Sequence, residues 1–194
     1  MKKLIGLDKN KTAVFISGNG SNLKNLIKFS KTKNSPISID LVISNNKSAK
    51  GLLYAYQKKI ENKVINFSNQ KLSEKKILNI LNKKKIKLIC LAGFMKILSN
   101  NFIKKFKNKI INIHPSLLPK YKGLNTHRRA IENKEKFSGC TVHFVTDKLD
   151  SGKIIMQKKV KVFKSDTPKK LAKRILLEEN KLYPKAILKI ISKI

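Results

Sequence analysis

Seven short apolar runs alternate with six longer segments of helical period along this chain, and that alternation limits the fold more than any other feature. The strand-like runs are Thr12–Ser17, Ile39–Ser44, Lys63–Phe67, Leu88–Ala92, Ile110–Ile113, Thr141–Thr146 and Ile154–Val162. The helical segments are Ser21–Lys31, Ala49–Lys59, Ser73–Lys84, Ser99–Lys107, Thr126–Asn133 and Thr167–Lys193, with Pro184 predicting a kink or split in the last. Such β-α alternation predicts an α/β fold, a Rossmann-like, mostly parallel sheet with helices on both faces and ligands at the carboxyl ends of its strands. The runs before Gly18, Gly93 and His114 then bring three loops to that edge. The last two strands, close in sequence, are candidates for antiparallel pairing at the sheet margin. With 194 residues, 41% of them hydrophobic, one domain over 1–194 is the expectation.

Charge narrows the partners less than its size suggests. A net charge of +34 ordinarily points to nucleic acid, but only three of the 45 basic residues are arginine (Arg128, Arg129 and Arg174). Groove and phosphate readers favour the bidentate arginine fork, and these lysines are spread along the whole chain among Asn and Ile. Lys, Ile and Asn share A/T-rich codons, so two readings stand: a solvated surface shaped by genome composition, or a field that draws in anionic ligands. Met1 to Leu7 begins like a signal peptide, but Asp8 to Lys11 interrupt it, and no run approaches the roughly 18 apolar residues of a membrane span. A cytoplasmic protein is expected, with Cys90 and Cys140 as reduced packing thiols.

Three loops carry the chemistry. Ser17-Gly18-Asn19-Gly20-Ser21-Asn22-Leu23 follows a strand and opens a helix, where backbone amides at the helix start attract phosphate. It lacks the ending of an NTPase loop and the third glycine of a dinucleotide fingerprint, so it is either a site for one terminal phosphate or an ordinary glycine-rich turn. Ala92-Gly93-Phe94-Met95-Lys96-Ile97-Leu98 is an apolar strand exit containing one basic residue, and by itself it reads as core packing followed by a helix start. Asn112-Ile113-His114-Pro115-Ser116-Leu117-Leu118-Pro119 places an amide and an imidazole on one face of an extended segment, and Leu149-Asp150-Ser151-Gly152 supplies a carboxylate able to raise the imidazole pKa. Amide, imidazole and carboxylate together suit acyl transfer, in which an oxyanion is stabilised and a proton is moved.

These motifs, in this order from about Val14 to Pro184, resemble those of the folate-dependent formyltransferases, on the branch that acts on glycinamide ribonucleotide in purine synthesis. The resemblance implies 10-formyltetrahydrofolate as co-substrate and direct attack by the substrate amine without an acyl-enzyme. A monomer or weak homodimer is expected, and no metal, because the three histidines show no ligand spacing and Cys90 and Cys140 lie far apart. It implies Asn112, His114 and Asp150 as catalytic residues, and Gly20, Ser21 and Asn22 as holders of the substrate phosphate. It further implies Glu179 on the ribose hydroxyls, and Met95, Lys96, Ile97 and Leu98 with Asn112 around the folate; related enzymes often carry arginine where Lys96 stands. The folate's glutamate tail would fall near Gln70 or Lys71. The segment Lys122 to Arg128, with Thr126 as a candidate helix cap, would close over the catalytic residues, while His143 on its strand reads as structural. The alternatives are a methionyl-tRNA formyltransferase or formyltetrahydrofolate hydrolase, which carry additional domains, and a non-catalytic basic nucleic-acid-binding protein, which an aromatic-basic stripe would support.

Overall fold

The computed structural model describes residues 9–191, so the Met1 to Leu7 segment and the end of the last expected helix at Lys193 lie outside the described residues. Tertiary contacts divide the chain into two compact units that meet in sequence at Ile110/Ile111. The first holds β1 (Asn10–Ile16), α1 (Ser21–Ser30), β2 (Ile37–Ser44), α2 (Gly51–Gln57), β3 (Asn62–Val64), α3 (Gln70–Lys83), β4 (Leu88–Leu91) and α4 (Asn100–Lys105). Its strands run parallel in the order β3-β2-β1-β4. β4 and the 13–16 stretch of β1 read as apolar runs because both their faces are covered, and Ala13 to Ile16 and Ile89 to Cys90 are fully buried. α1 presents Leu23, Leu26 and Ile27 at helical spacing to this core. α3 starts three residues before the expected Ser73, because Asn69 caps it by accepting the Leu72 N–H (3.1 Å). β3 ends at Val64, short of the expected Phe67, as befits a three-residue edge strand.

The second unit holds β5 (Lys109–His114, which spans the boundary), α5 (Thr126–Glu132), β6 (Phe137–Phe144), β7 (Ile154–Lys161) and α6 (Pro168–Ile191). β6 pairs antiparallel with β5 and with β7, so the antiparallel margin expected for the last two strands begins one strand earlier. β6 itself begins at Phe137 rather than Thr141, since Phe137 to Cys140 pair with Lys161 to Lys158 despite their mixed character. α6 runs through Pro184 as one helix instead of splitting. A proline inside a helix costs about 3 kcal/mol, and here Leu171, Ile175, Leu182, Tyr183, Ala186, Ile187 and Ile190 form a buried stripe on both sides of it that outweighs this. The α/β class with a mostly parallel sheet holds as expected.

Candidate active site

In the second unit, Asn112 and His114 leave the same face of β5 and converge on Asp150. The His114 ring is buried, with Nε2 2.9 Å from the Tyr121 carbonyl and Nδ1 3.3 Å from Asp150 Oδ2. A carbonyl only accepts, so Nε2 carries a hydrogen and Nδ1 faces the carboxylate. Asp150 Oδ2 also accepts the Gly123 N–H (2.9 Å), and Oδ1 accepts from Asn112 Nδ2 (3.4 Å). Asn112 Nδ2 lies 3.2 Å from His143 Nε2 as well, and His143 Nδ1 donates to the Phe144 carbonyl (2.8 Å), which leaves Nε2 as an acceptor. Both amide hydrogens of Asn112 are thereby aimed, one at Asp150 and one at His143.

The backbone around this cluster is unusual in a way that serves it. Tyr121, Asn125 and Asp150 all adopt left-handed conformations, with φ 56°, 57° and 45°. Asparagine and aspartate enter that region readily, whereas a tyrosine there costs on the order of 1–3 kcal/mol and persists only where its surroundings over-determine it. Tyr121 is held by its phenol donating to Glu135 Oε1 (2.8 Å) and by the Arg129 guanidinium 5.1 Å from its ring centre, and its carbonyl is the one that meets His114. After Asp150 the chain must turn at Gly152, where a Cβ would stand 1.8 Å from the Phe144 carbonyl oxygen. Asn125, and not Thr126, occupies the cap position of α5; Thr126 is the first helical residue and is buried.

Burial lowers the His114 pKa below its ordinary 6.5, against the Tyr121 carbonyl and the Asp150 charge, which both pull upward. Asp150 thus acts in the expected direction, but desolvation outweighs it and the net shift is down. Burial would raise the Asp150 carboxyl, yet the His143 ring beside it, the Gly123 amide and the His114 ring hold it below the ordinary 3.8. At neutral pH the pair is an uncharged imidazole beside a carboxylate, with its lone pair and proton positions set by Tyr121 and Asp150. His127, in the segment expected to cover this cluster, is also lowered by burial and by the neighbouring His114. Glu179 is buried on α6, while its neighbour Glu178 forms the surface ion pair with Lys181 (2.8 Å). Cys140 faces the charge of Glu179; burial first, and that charge second, push its thiol up to about 12, so it is an inert packing residue.

In the first unit, the Gly20-Ser21-Asn22 loop opens α1 with Gly20 in the left-handed cap position (φ 71°) and no side chain capping the helix start. A Cβ on Gly20 would approach Gly51 Cα to 2.4 Å, and one on Gly51 would approach Gly20 Cα to 2.9 Å. Gly51 N–H also donates to the Gly18 carbonyl (3.0 Å), so the start of α2 buttresses this loop through a residue that sequence reasoning passed over as helix interior. In the 95–98 segment, Met95 and Ile97 are about three-fifths exposed, whereas Leu98 is buried in the core. Phe94, just before them, packs edge-on between Phe15 and Phe67. Gln70 donates to the Ile97 carbonyl (2.9 Å) and to Glu74 (2.9 Å), so it supports this loop, and Lys71 beside it is exposed.

The family model for formyl transferase matches residues 10–187. The chain belongs to the formyl transferase family. This formyl transferase is 44% identical over 180 residues to the phosphoribosylglycinamide formyltransferase of Haemophilus influenzae, covering 91% of the chain and 85% of that protein. It is 43% identical over 182 residues to the trifunctional purine biosynthetic protein adenosine-3 of Homo sapiens, where 92% of the chain matches but spans only 18% of the larger protein. The crystal structure of phosphoribosylglycinamide formyltransferase from Brucella melitensis resembles it with a TM-score of 0.89 at 41% identity, over 95% of this chain and 96% of that one.

Proposed function

We propose that this formyl transferase moves the formyl group of 10-formyltetrahydrofolate to the amine of N1-(5-phospho-D-ribosyl)glycinamide, giving the N-formyl product and tetrahydrofolate in de novo purine (IMP) biosynthesis in the cytoplasm. The observation that carries this is the convergence of Asn112 and the buried, uncharged imidazole of His114 on Asp150. The amine attacks the formyl carbon directly, and Asn112 exchanges its longer contact, to Asp150, for the developing oxyanion. Neutral His114 takes the proton released by the attacking nitrogen, Asp150 stabilises the resulting imidazolium, and the proton passes to the folate nitrogen as the carbon–nitrogen bond to it breaks. Gly20, Ser21 and Asn22 hold the substrate phosphate, and Glu179 the ribose hydroxyls. Met95, Lys96, Ile97 and Leu98, with Asn112, orient the folate, its pterin lying against the exposed Met95 and Ile97. The whole chain serves as one catalytic domain, and no metal is required.

Following tetrahydrofolate formation with purified protein tests this. Production that depends on glycinamide ribonucleotide is expected; production without it would indicate a hydrolase, and production only with aminoacylated tRNA a different acceptor. The pH profile follows from the direction of the His114 shift. Because the folded imidazole binds protons less readily than its ordinary 6.5 implies, the contribution of His114 to kcat/KM should be level at pH 7 and fall only as pH drops through a value below 6.5. The unfolded chain binds that proton more readily, so this residue's linkage makes stability fall over the same acid window. An acid limb centred above 6.5 would contradict the assignment of His114 as the neutral base.

A further inference from the structure

Ser17 follows β1 at the head of the phosphate loop, and each of its polar groups fastens something else. Its N–H donates to the Gly93 carbonyl (3.1 Å) and its carbonyl accepts from the Asn46 side-chain amide (3.2 Å). Its hydroxyl accepts the Met95 N–H (2.8 Å) and donates to Asn45 Oδ1 (2.5 Å). One half-buried side chain therefore ties the exits of β2 and β4 to the loop that leads into Gly20-Ser21-Asn22, beside a cavity of about 580 Å³ that Ser17, Asn45, Asn46 and Met95 help to line. The 95–98 segment is held at two points: at Met95 by Ser17 and at Ile97 by Gln70. Gln70 stands on α3 and its side-chain amide donates to Glu74 and Ile97, neither of which is in the phosphate loop, whereas Ser17 belongs to that loop.

We infer that Ser17 is the positioning residue through which the two substrates of the proposed reaction bind cooperatively. The inference rests on the formyl-transfer function above. A phosphate seated at the start of α1 fixes the segment from Ser17 to Asn22, and fixing the Ser17 hydroxyl holds the Met95 N–H and the slot that follows it in place for the folate. The effect is reciprocal, since a folate that orders Met95 orders Ser17 and the loop beyond it. Removing the hydroxyl leaves the Met95 N–H and Asn45 Oδ1 without this shared partner. The backbone tie from Ser17 to Gly93 stays, but it stops short of Met95 and the slot that follows.

Calorimetry with glycinamide ribonucleotide and tetrahydrofolate, each titrated alone and with the other saturating, measures the coupling. In the unaltered protein each ligand should tighten the other by the same factor, at least about 5-fold. Ser17→Ala should lower that factor most of the way to one while both ligands still bind, the backbone tie to Gly93 being all that remains of the link. Gln70→Ala should weaken tetrahydrofolate yet keep the factor, because it loosens the slot without cutting the link. If Ser17→Ala does not fold, Ser17→Cys, of similar shape but a weak hydrogen-bonding group, reads out the same quantity. Full coupling in the Ser17 variant, loss of coupling in Gln70→Ala, or independent binding in the unaltered protein would each overturn the inference. Failure of the unaltered protein to bind either ligand would instead strike at the formyl-transfer function itself.

Discussion

His114→Ala lowers kcat by about 10²–10⁴-fold while the dissociation constants of both substrates change little. The imidazole is buried, uncharged at neutral pH and held by Tyr121 and Asp150, so its proposed work is done on a proton that moves only during reaction. Interactions made only in the transition state appear in kcat and leave ground-state affinity alone. Asp150→Asn should follow in the same direction, since the amide keeps the size of the side chain but cannot stabilise an imidazolium by charge. Its effect includes a positional part, because Asp150 also holds the Gly123 and Asn112 N–H groups. Rapid-quench kinetics at saturating substrates, with binding measured separately, checks both. Near-normal kcat in His114→Ala would remove the imidazole from the mechanism.

Ser21→Asp weakens glycinamide ribonucleotide binding by about 10–100-fold, the equivalent of one lost charge-assisted contact, and leaves tetrahydrofolate nearly untouched. α1 begins without a capping side chain, and its first hydrogen bond closes from Lys24 N–H to the Gly20 carbonyl (2.8 Å), so the amides before it face outward at the positive end of the helix. A carboxylate there caps the helix itself and repels the substrate's phosphate. The Gly20–Gly51 approach keeps the loop in place, so the variant should fold. Calorimetry showing equal losses for both ligands would mean that the loop does not hold the phosphate.

The parallel strands were legible because β4 and the stretches 13–16 of β1 and 41–43 of β2 are buried on both faces and read as apolar runs. The start of β6 was not, because Phe137 to Cys140 are placed by pairing with β7, and nothing in their own pattern alternates. The meeting of Asn112, His114 and Asp150 was legible from motif order, but the fourth member, His143, was not. It is buried as a structural histidine should be, yet its place beside Asn112 depends on an antiparallel register that sets Asn112 opposite His143 across 31 residues. The same holds for Tyr121, whose contribution is a carbonyl aimed by a left-handed backbone, and for Gly51, whose role exists only once α2 meets the phosphate loop. Gln70 was noticed for its position in sequence, but its amide is spent on the Ile97 carbonyl and Glu74.

A single-turnover reaction with donor labelled at the formyl carbon addresses the central claim most directly. Protein in excess over labelled 10-formyltetrahydrofolate, mixed with glycinamide ribonucleotide and quenched in acid over the course of the turnover, should pass all of the label to the ribonucleotide. The denatured protein should carry none at any time, since the amine attacks without an acyl-enzyme. Label that accumulates on the protein, or that leaves as free formate while the ribonucleotide stays unlabelled, would contradict direct transfer by the Asn112, His114 and Asp150 cluster.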